Sequence, residues 1–202
     1  STTIYNRMAL SLRAYSLLFC LTVWVMYYWL KYQTDKRKFD FAVLTVLTIL
    51  LVYTHYFGTL YVAVLGIFSI VLAVLKKADK KLIIPFVIAG ATFLPWFMKT
   101  MVLTSVDMLS FWIAPPALSD VFSAVGFLLS SSYILCVLYG TGCICVLIGI
   151  QKKRSIKKED VLYLFVPWAV VILIFIYSRY INPAGGLFEP RYFMVLLPSL
   201  LI

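Results

Sequence analysis

The chain has 202 residues, 63% of them hydrophobic and 13% charged, with a mean hydropathy of +0.99. A soluble domain carries about a quarter of its residues as charges, so this composition argues against a water-solvated fold and for lipid as the solvent. The formal net charge of +10 does not point to nucleic acid, because the cations are packed into short loops between apolar runs instead of lying along one face.

A membrane-crossing helix needs roughly 20 mainly apolar residues for a hydrocarbon core of about 30 Å. The first such run extends from about Arg13 to Leu30 and ends in Trp24, Tyr27, Tyr28 and Trp29, followed by Lys31, Lys36, Arg37 and Lys38. Aromatic residues followed by lysines mark a membrane boundary. The next apolar run, Phe39 to Leu75, is too long for one helix and predicts two short ones broken at Thr54-His55-Tyr56 and Gly58. After the basic loop Lys76 to Lys81, a span is predicted from Leu82 to about Met98, with Pro85 and Pro95 inside it; membrane helices tolerate proline where neighbours cover the freed backbone groups. From residue 99 to 131 the pattern weakens around Asp107, Pro115, Pro116 and Asp120, which predicts an outer loop or interfacial excursion with some amphipathic helix. Spans follow at Ser132 to Ile150 and Val161 to Tyr177, separated by a basic loop, and Arg191 to Ile202 begins another.

The expected fold is therefore all-α: one polytopic transmembrane helix bundle over 1–202, with six complete spans and one truncated span. The serine at position 1 and the apolar run reaching Ile202 lead to the expectation of an internal fragment of a longer chain, and no segment reads as a signal peptide. Of the 18 lysines and arginines, 13 fall in the loops near 31–38, 76–81 and 152–158, which the positive-inside rule assigns to the cytoplasm. The four cysteines (Cys20, Cys136, Cys143 and Cys145) lie in apolar stretches and read as small helix residues, with no metal cluster around them.

The opposite, outer side then collects Arg7, Arg13, His55, Asp107, Asp120, Arg179, Glu189 and Arg191. Ionisable groups near the apolar boundary are costly and face a cavity, a partner or a headgroup. Arg13 is either an interfacial anchor or a guanidinium presented to phosphate. His55, the single histidine, is either an interfacial hydrogen-bonding residue or a group that meets a substrate hydroxyl. Glu189 and Arg191 either pair with each other or divide the work, Arg191 on a lipid phosphate and Glu189 on a sugar hydroxyl. Asp107 and Asp120 are either acids or bases or, as such residues more often are, solvated loop residues.

Three segments, Arg13-Ala14-Tyr15-Ser16-Leu17-Leu18, Tyr53-Thr54-His55-Tyr56-Phe57-Gly58 and Glu189-Pro190-Arg191-Tyr192 ahead of Leu196-Leu197-Pro198, resemble in order and spacing the GT-C superfamily of glycosyltransferases. Within it they are most similar to the prokaryotic branch related to dolichyl-phosphate-mannose protein mannosyltransferases and the lipid A aminoarabinose transferases. The resemblance implies a prokaryotic inner-membrane enzyme that moves a sugar from a polyprenyl-phosphate donor to a glycan, lipid or protein acceptor on the extracytoplasmic face. It further implies an inverting displacement in which a carboxylate activates the acceptor and cations stabilise the departing phosphate. Arg13, Tyr15, His55, Tyr56, Glu189, Arg191 and Tyr192 are the substrate-binding residues it suggests. The family's catalytic acid lies in a first outer loop that would precede Ser1, so neither Asp107 nor Asp120 matches it, and the fragment alone is expected to be inactive. No cofactor and no metal is expected, and the partners are the sugar donor, the acceptor and membrane lipids. A lipid or glycan transporter would show internal repeats or paired half-helices; a non-catalytic membrane scaffold would use the same outer residues merely as interfacial anchors.

Overall fold

The computed structural model describes residues 15–104, 115–128, 141, 144, 158–181 and 188. The regular structure among them is entirely helical. The chain divides into two compact units, one formed by Ala14–Leu109 and the other by Ser1–Arg13 with Ser110–Ile202.

The first unit contains α1 (Tyr15–Asp35), α2 (Lys38–Thr54), α3 (Tyr56–Val74), a short 3-10 helix (Lys80–Ile83) and α4 (Ile84–Thr104). Their pairings fix an up-down-up-down bundle. Lys31 meets Asp40 and Tyr32 stacks near Phe41, so α2 runs back along α1. Tyr15 lies beside His55, and Trp29 beside Ser69 and Phe68, so α3 runs parallel to α1. Tyr53 reaches Thr92 and Phe93, while Thr48 is near the Pro85 carbonyl, so α4 runs parallel to α2. Short connections leave antiparallel neighbours as the natural arrangement.

Leu18, Val25, Trp29, Leu44, Leu51, Tyr61, Leu65 and Leu82 are wholly or almost wholly buried at the centre of this unit. Several of its buried polar groups are satisfied by nearby carbonyls or by a neighbouring helix. Thr22, Thr48 and Ser69 return their hydroxyls to the carbonyls of Leu18, Leu44 and Leu65, and the buried Trp29 Nε1–H donates to Ser69 Oγ at 2.9 Å. A buried donor without a partner costs about 1–3 kcal/mol, so the indole is placed only because Ser69 is there. The outward faces are apolar too: Leu17, Trp24, Ile67, Val74 and Val87 are exposed.

Among the described residues, two helices are long and apolar enough to cross a membrane, Tyr56–Val74 and Lys80–Lys99, and the apolar stretch Trp168–Ile181 is shorter. The predicted break in the long apolar run falls at His55. Two boundaries differ from expectation. α1 continues beyond Leu30 to Asp35, because lysines do not end a helix; it stops where Lys36 takes φ of 51°, a left-handed conformation that cannot continue the ladder. α4 continues beyond Met98 to Thr104 with Pro95 inside it, so the predicted excursion begins later than residue 99.

In the second unit, α5 (Leu118–Leu128) packs against α6 (Lys158–Ile176), which passes directly into a π-helical turn, Tyr177–Ile181. The outer loop expected from 178 to 190 therefore begins as a continuation of the helix. Asp120 sits in the first turn of α5 and its Oδ2 accepts the Ala117 backbone N–H at 2.7 Å. That is the carboxylate half of a capping box, a structural role in place of the solvated-loop reading. The predicted span at 132–150 lies outside the described residues apart from Thr141 and Ile144, as does all of 191–202.

Candidate functional site

A single residue, His55, separates α2 from α3. Its backbone is extended (φ −165°, ψ 146°), and it ends one helix and starts the next. The reversal is this tight because Gly58 has no side chain: a Cβ there would collide with the Leu51 carbonyl oxygen and crowd Leu51 Cδ1 at 3.1 Å and Leu18 Cδ1 at 3.2 Å. The freed amides find a local acceptor, the Gly58 and Thr59 N–H groups donating to the His55 carbonyl at 2.8 and 3.2 Å, and the Thr59 hydroxyl donates to the Val52 carbonyl at 3.1 Å.

The imidazole caps α3. Its Nδ1 accepts the Phe57 N–H at 3.2 Å, a bond that requires an unprotonated Nδ1. Burial lowers the His55 pKa from its ordinary value by disfavouring the charged form, and the cap favours the neutral form as well. A neutral imidazole accepting at Nδ1 carries its proton on Nε2 and presents a donor there.

Around it stand three rings. The centroids of Tyr15, Tyr56 and Phe57 lie 5.8, 4.2 and 5.6 Å from that of His55. Tyr15 and Phe57 are buried and hold the imidazole, whereas Tyr56 is 46% exposed and forms the outer side of the cluster. Two of the three sequence segments, 40 residues apart at Tyr15 and His55, thus meet at one end of the first unit. Arg13, Glu189, Arg191 and Tyr192 lie outside the described residues. Immediately before the last segment, Phe188 is buried and packs edge-on to Phe175 of α6 at 6.1 Å. Arg179 lies exposed on the π-helical turn.

The opposite end holds what sequence reasoning passed over. Asp40, in the first turn of α2, is 1% exposed and its Oδ1 lies 3.3 Å from Lys31 Nζ. Among the described residues neither carboxylate oxygen has a hydrogen-bond partner of good geometry, so the ion pair is what compensates the buried charge. The ammonium also lies 5.6 Å from the Tyr27 ring and 5.5 Å from the Tyr28 ring, within range of a cation–π attraction. Its pKa is raised, chiefly by the Asp40 carboxylate. The signal for this pair in the sequence is an aspartate two residues into a mainly apolar helix.

Compared with protein-family models, curated proteins and solved structures, the chain matches none of them.

Proposed function

We propose that the chain belongs to a polytopic helical membrane glycosyltransferase that transfers a sugar from a polyprenyl-phosphate donor to an acceptor on the extracytoplasmic face. Six complete spans and one truncated span, with the basic loops in the cytoplasm of a prokaryotic inner membrane, complete the reading. The observation that carries it is the cluster at His55, which unites two of the three motif segments at the end of the first unit opposite its two basic loops.

In this reading the Nε2–H of a neutral His55 donates to a sugar hydroxyl or a phosphate oxygen, and Tyr15 and Tyr56 position it. Arg13 and Arg191 stabilise the negative charge that develops on the departing polyprenyl phosphate, and Glu189 orients Arg191 or a sugar hydroxyl. The step is an inverting displacement: the acceptor oxygen attacks the anomeric carbon, its proton passes to a carboxylate base, and the bond to the phosphate oxygen breaks. No residue of this chain is assigned as that base.

The test is release of labelled sugar from a polyprenyl-phosphate-sugar by membranes carrying the full-length protein. Loss of turnover in Arg13→Ala and Arg191→Ala at unchanged expression supports the reading. Unchanged donor binding in Arg191→Ala removes that residue from the site, and no turnover with any such donor overturns the reading.

A further inference from the structure

At the end of the first unit remote from His55, two loops that are 40 residues apart in the chain converge. Lys31, Lys36, Arg37 and Lys38 come from one; Lys76, Lys77, Lys80 and Lys81 come from the other. The Asp79 carboxylate of the second loop is close enough to Tyr32 to influence its hydroxyl. Three carboxylates stand among these eight cations and each is engaged: Asp40 by Lys31, Asp35 by Arg37 at 3.9 Å, and Asp79 by the Lys81 backbone N–H at 2.9 Å. The cluster keeps five net positive charges, and every one of its cations except Lys31 is exposed. Exposed Phe39 adjoins Lys38, and exposed Leu75 adjoins Lys76.

An apolar groove of about 260 Å³ starts at this end and descends between α3 and α4. Ile70 and Ile83 line its upper part, Gly66 and Gly90 its middle, and Thr59 and Phe93 its lower part. Ile83 closes the 3-10 helix that carries Lys80 and Lys81, so the cations stand at the groove's mouth. From Ile70 to Thr59 is about 17 Å at 1.5 Å per residue, close to the depth of one leaflet of a hydrocarbon core about 30 Å thick.

We infer that this groove holds one acyl chain of an anionic glycerophospholipid whose phosphate is bound by Lys80, Lys81 and the cations beside them. Charge and shape point to the same ligand class. A phosphate without a tail leaves the groove unused, and a neutral lipid leaves the cations unmatched. The inference rests on the membrane part of the proposed function and is independent of the sugar chemistry.

The chain is purified and reconstituted into nanodiscs of phosphatidylcholine with phosphatidylglycerol as the minor component. Lipid retained per chain after a delipidating wash is then measured by extraction and mass spectrometry. Phosphatidylglycerol is expected to be enriched over its share of the bilayer. Lys80→Gln/Lys81→Gln should lower that enrichment about 25-fold, since each lysine near an anionic surface contributes about a factor of five. Gly90→Leu places a side chain in the groove from a position where an added Cβ meets nothing within 4 Å. It should remove the enrichment while leaving thermal stability intact. Enrichment that survives either variant overturns the inference, as does displacement of the lipid by soluble glycerol phosphate. A chain that enters neutral nanodiscs but enriches no anionic lipid refutes the inference alone; one that enters no bilayer refutes the membrane reading with it.

Discussion

The two ends of the four-helix unit solve opposite problems with the same helices. At the His55 end a single residue turns the chain and buries aromatic rings around a neutral imidazole that caps α3. At the other end the connections and the helix ends beside them carry eight cations, and the deeply buried charge of Asp40 is met by Lys31. Geometry governs the first end and charge the second. Variants that remove space should therefore damage the His55 end, and variants that remove charge should damage the basic end.

The largest effect is expected from Gly58→Ala. The new Cβ meets a backbone carbonyl that cannot swing aside, so a loss of about 3 kcal/mol is expected, read as a fall in the detergent unfolding temperature by size exclusion. A stability equal to wild type would show that the reversal is looser than described. Next, Lys31→Met should destabilise the chain more than Lys36→Met, because only the former strands a buried carboxylate. Adding Asp40→Asn to Lys31→Met should recover part of the loss, and no recovery would mean that the ion pair is incidental. A smaller cost, about 1 kcal/mol, is expected for His55→Ala through loss of the helix cap, whereas His55→Asn retains a capping acceptor and should lose less.

The same histidine gives the His55 end a pH dependence. Its folded pKa is lowered, so the unfolded chain takes up the proton first. Its contribution is present above the ordinary imidazole value of about 6.5 and is lost as the pH falls from there through the folded value. Unfolding temperatures measured across that interval should fall for wild type and stay flatter for His55→Asn. The smallest effect, in the opposite direction, belongs to Lys76. It sits at φ 56° in a Schellman turn, where the Lys76 and Lys77 amides donate to the Ala73 and Leu72 carbonyls at 3.1 and 2.8 Å. Glycine adopts that conformation without strain, so Lys76→Gly should gain about 1 kcal/mol.

The sequence made the reversal between α2 and α3 legible because three polar residues and a glycine interrupt an otherwise unbroken apolar run. It also made the location of the cations legible. The ends of α1 and α4 were not, since composition changes at Lys31 and Lys99 but the backbone ladder does not. A helix stops where φ changes sign or a cap intervenes, as at Lys36, and an isolated lysine does neither. The proximity of Tyr15 to His55 was implied only by the family resemblance, because no local pattern relates residues 40 positions apart. The groove beside Gly66 and Gly90 depends on which faces of α3 and α4 meet, which apolar periodicity cannot specify when both helices are apolar all round.

The one-residue connection between α2 and α3 also bears on the order in which the unit assembles. Closing a loop costs entropy that grows with its length, and contacts near in sequence form soonest. With only His55 between α2 and α3 these two helices find each other almost without search, α1 is joined to α2 by two residues, and α4 follows a longer connection that includes the 3-10 helix. The corner that gathers Phe57 and Gly58 against Leu51 is thus set at the start of folding, and Tyr15 arrives at a histidine already in place.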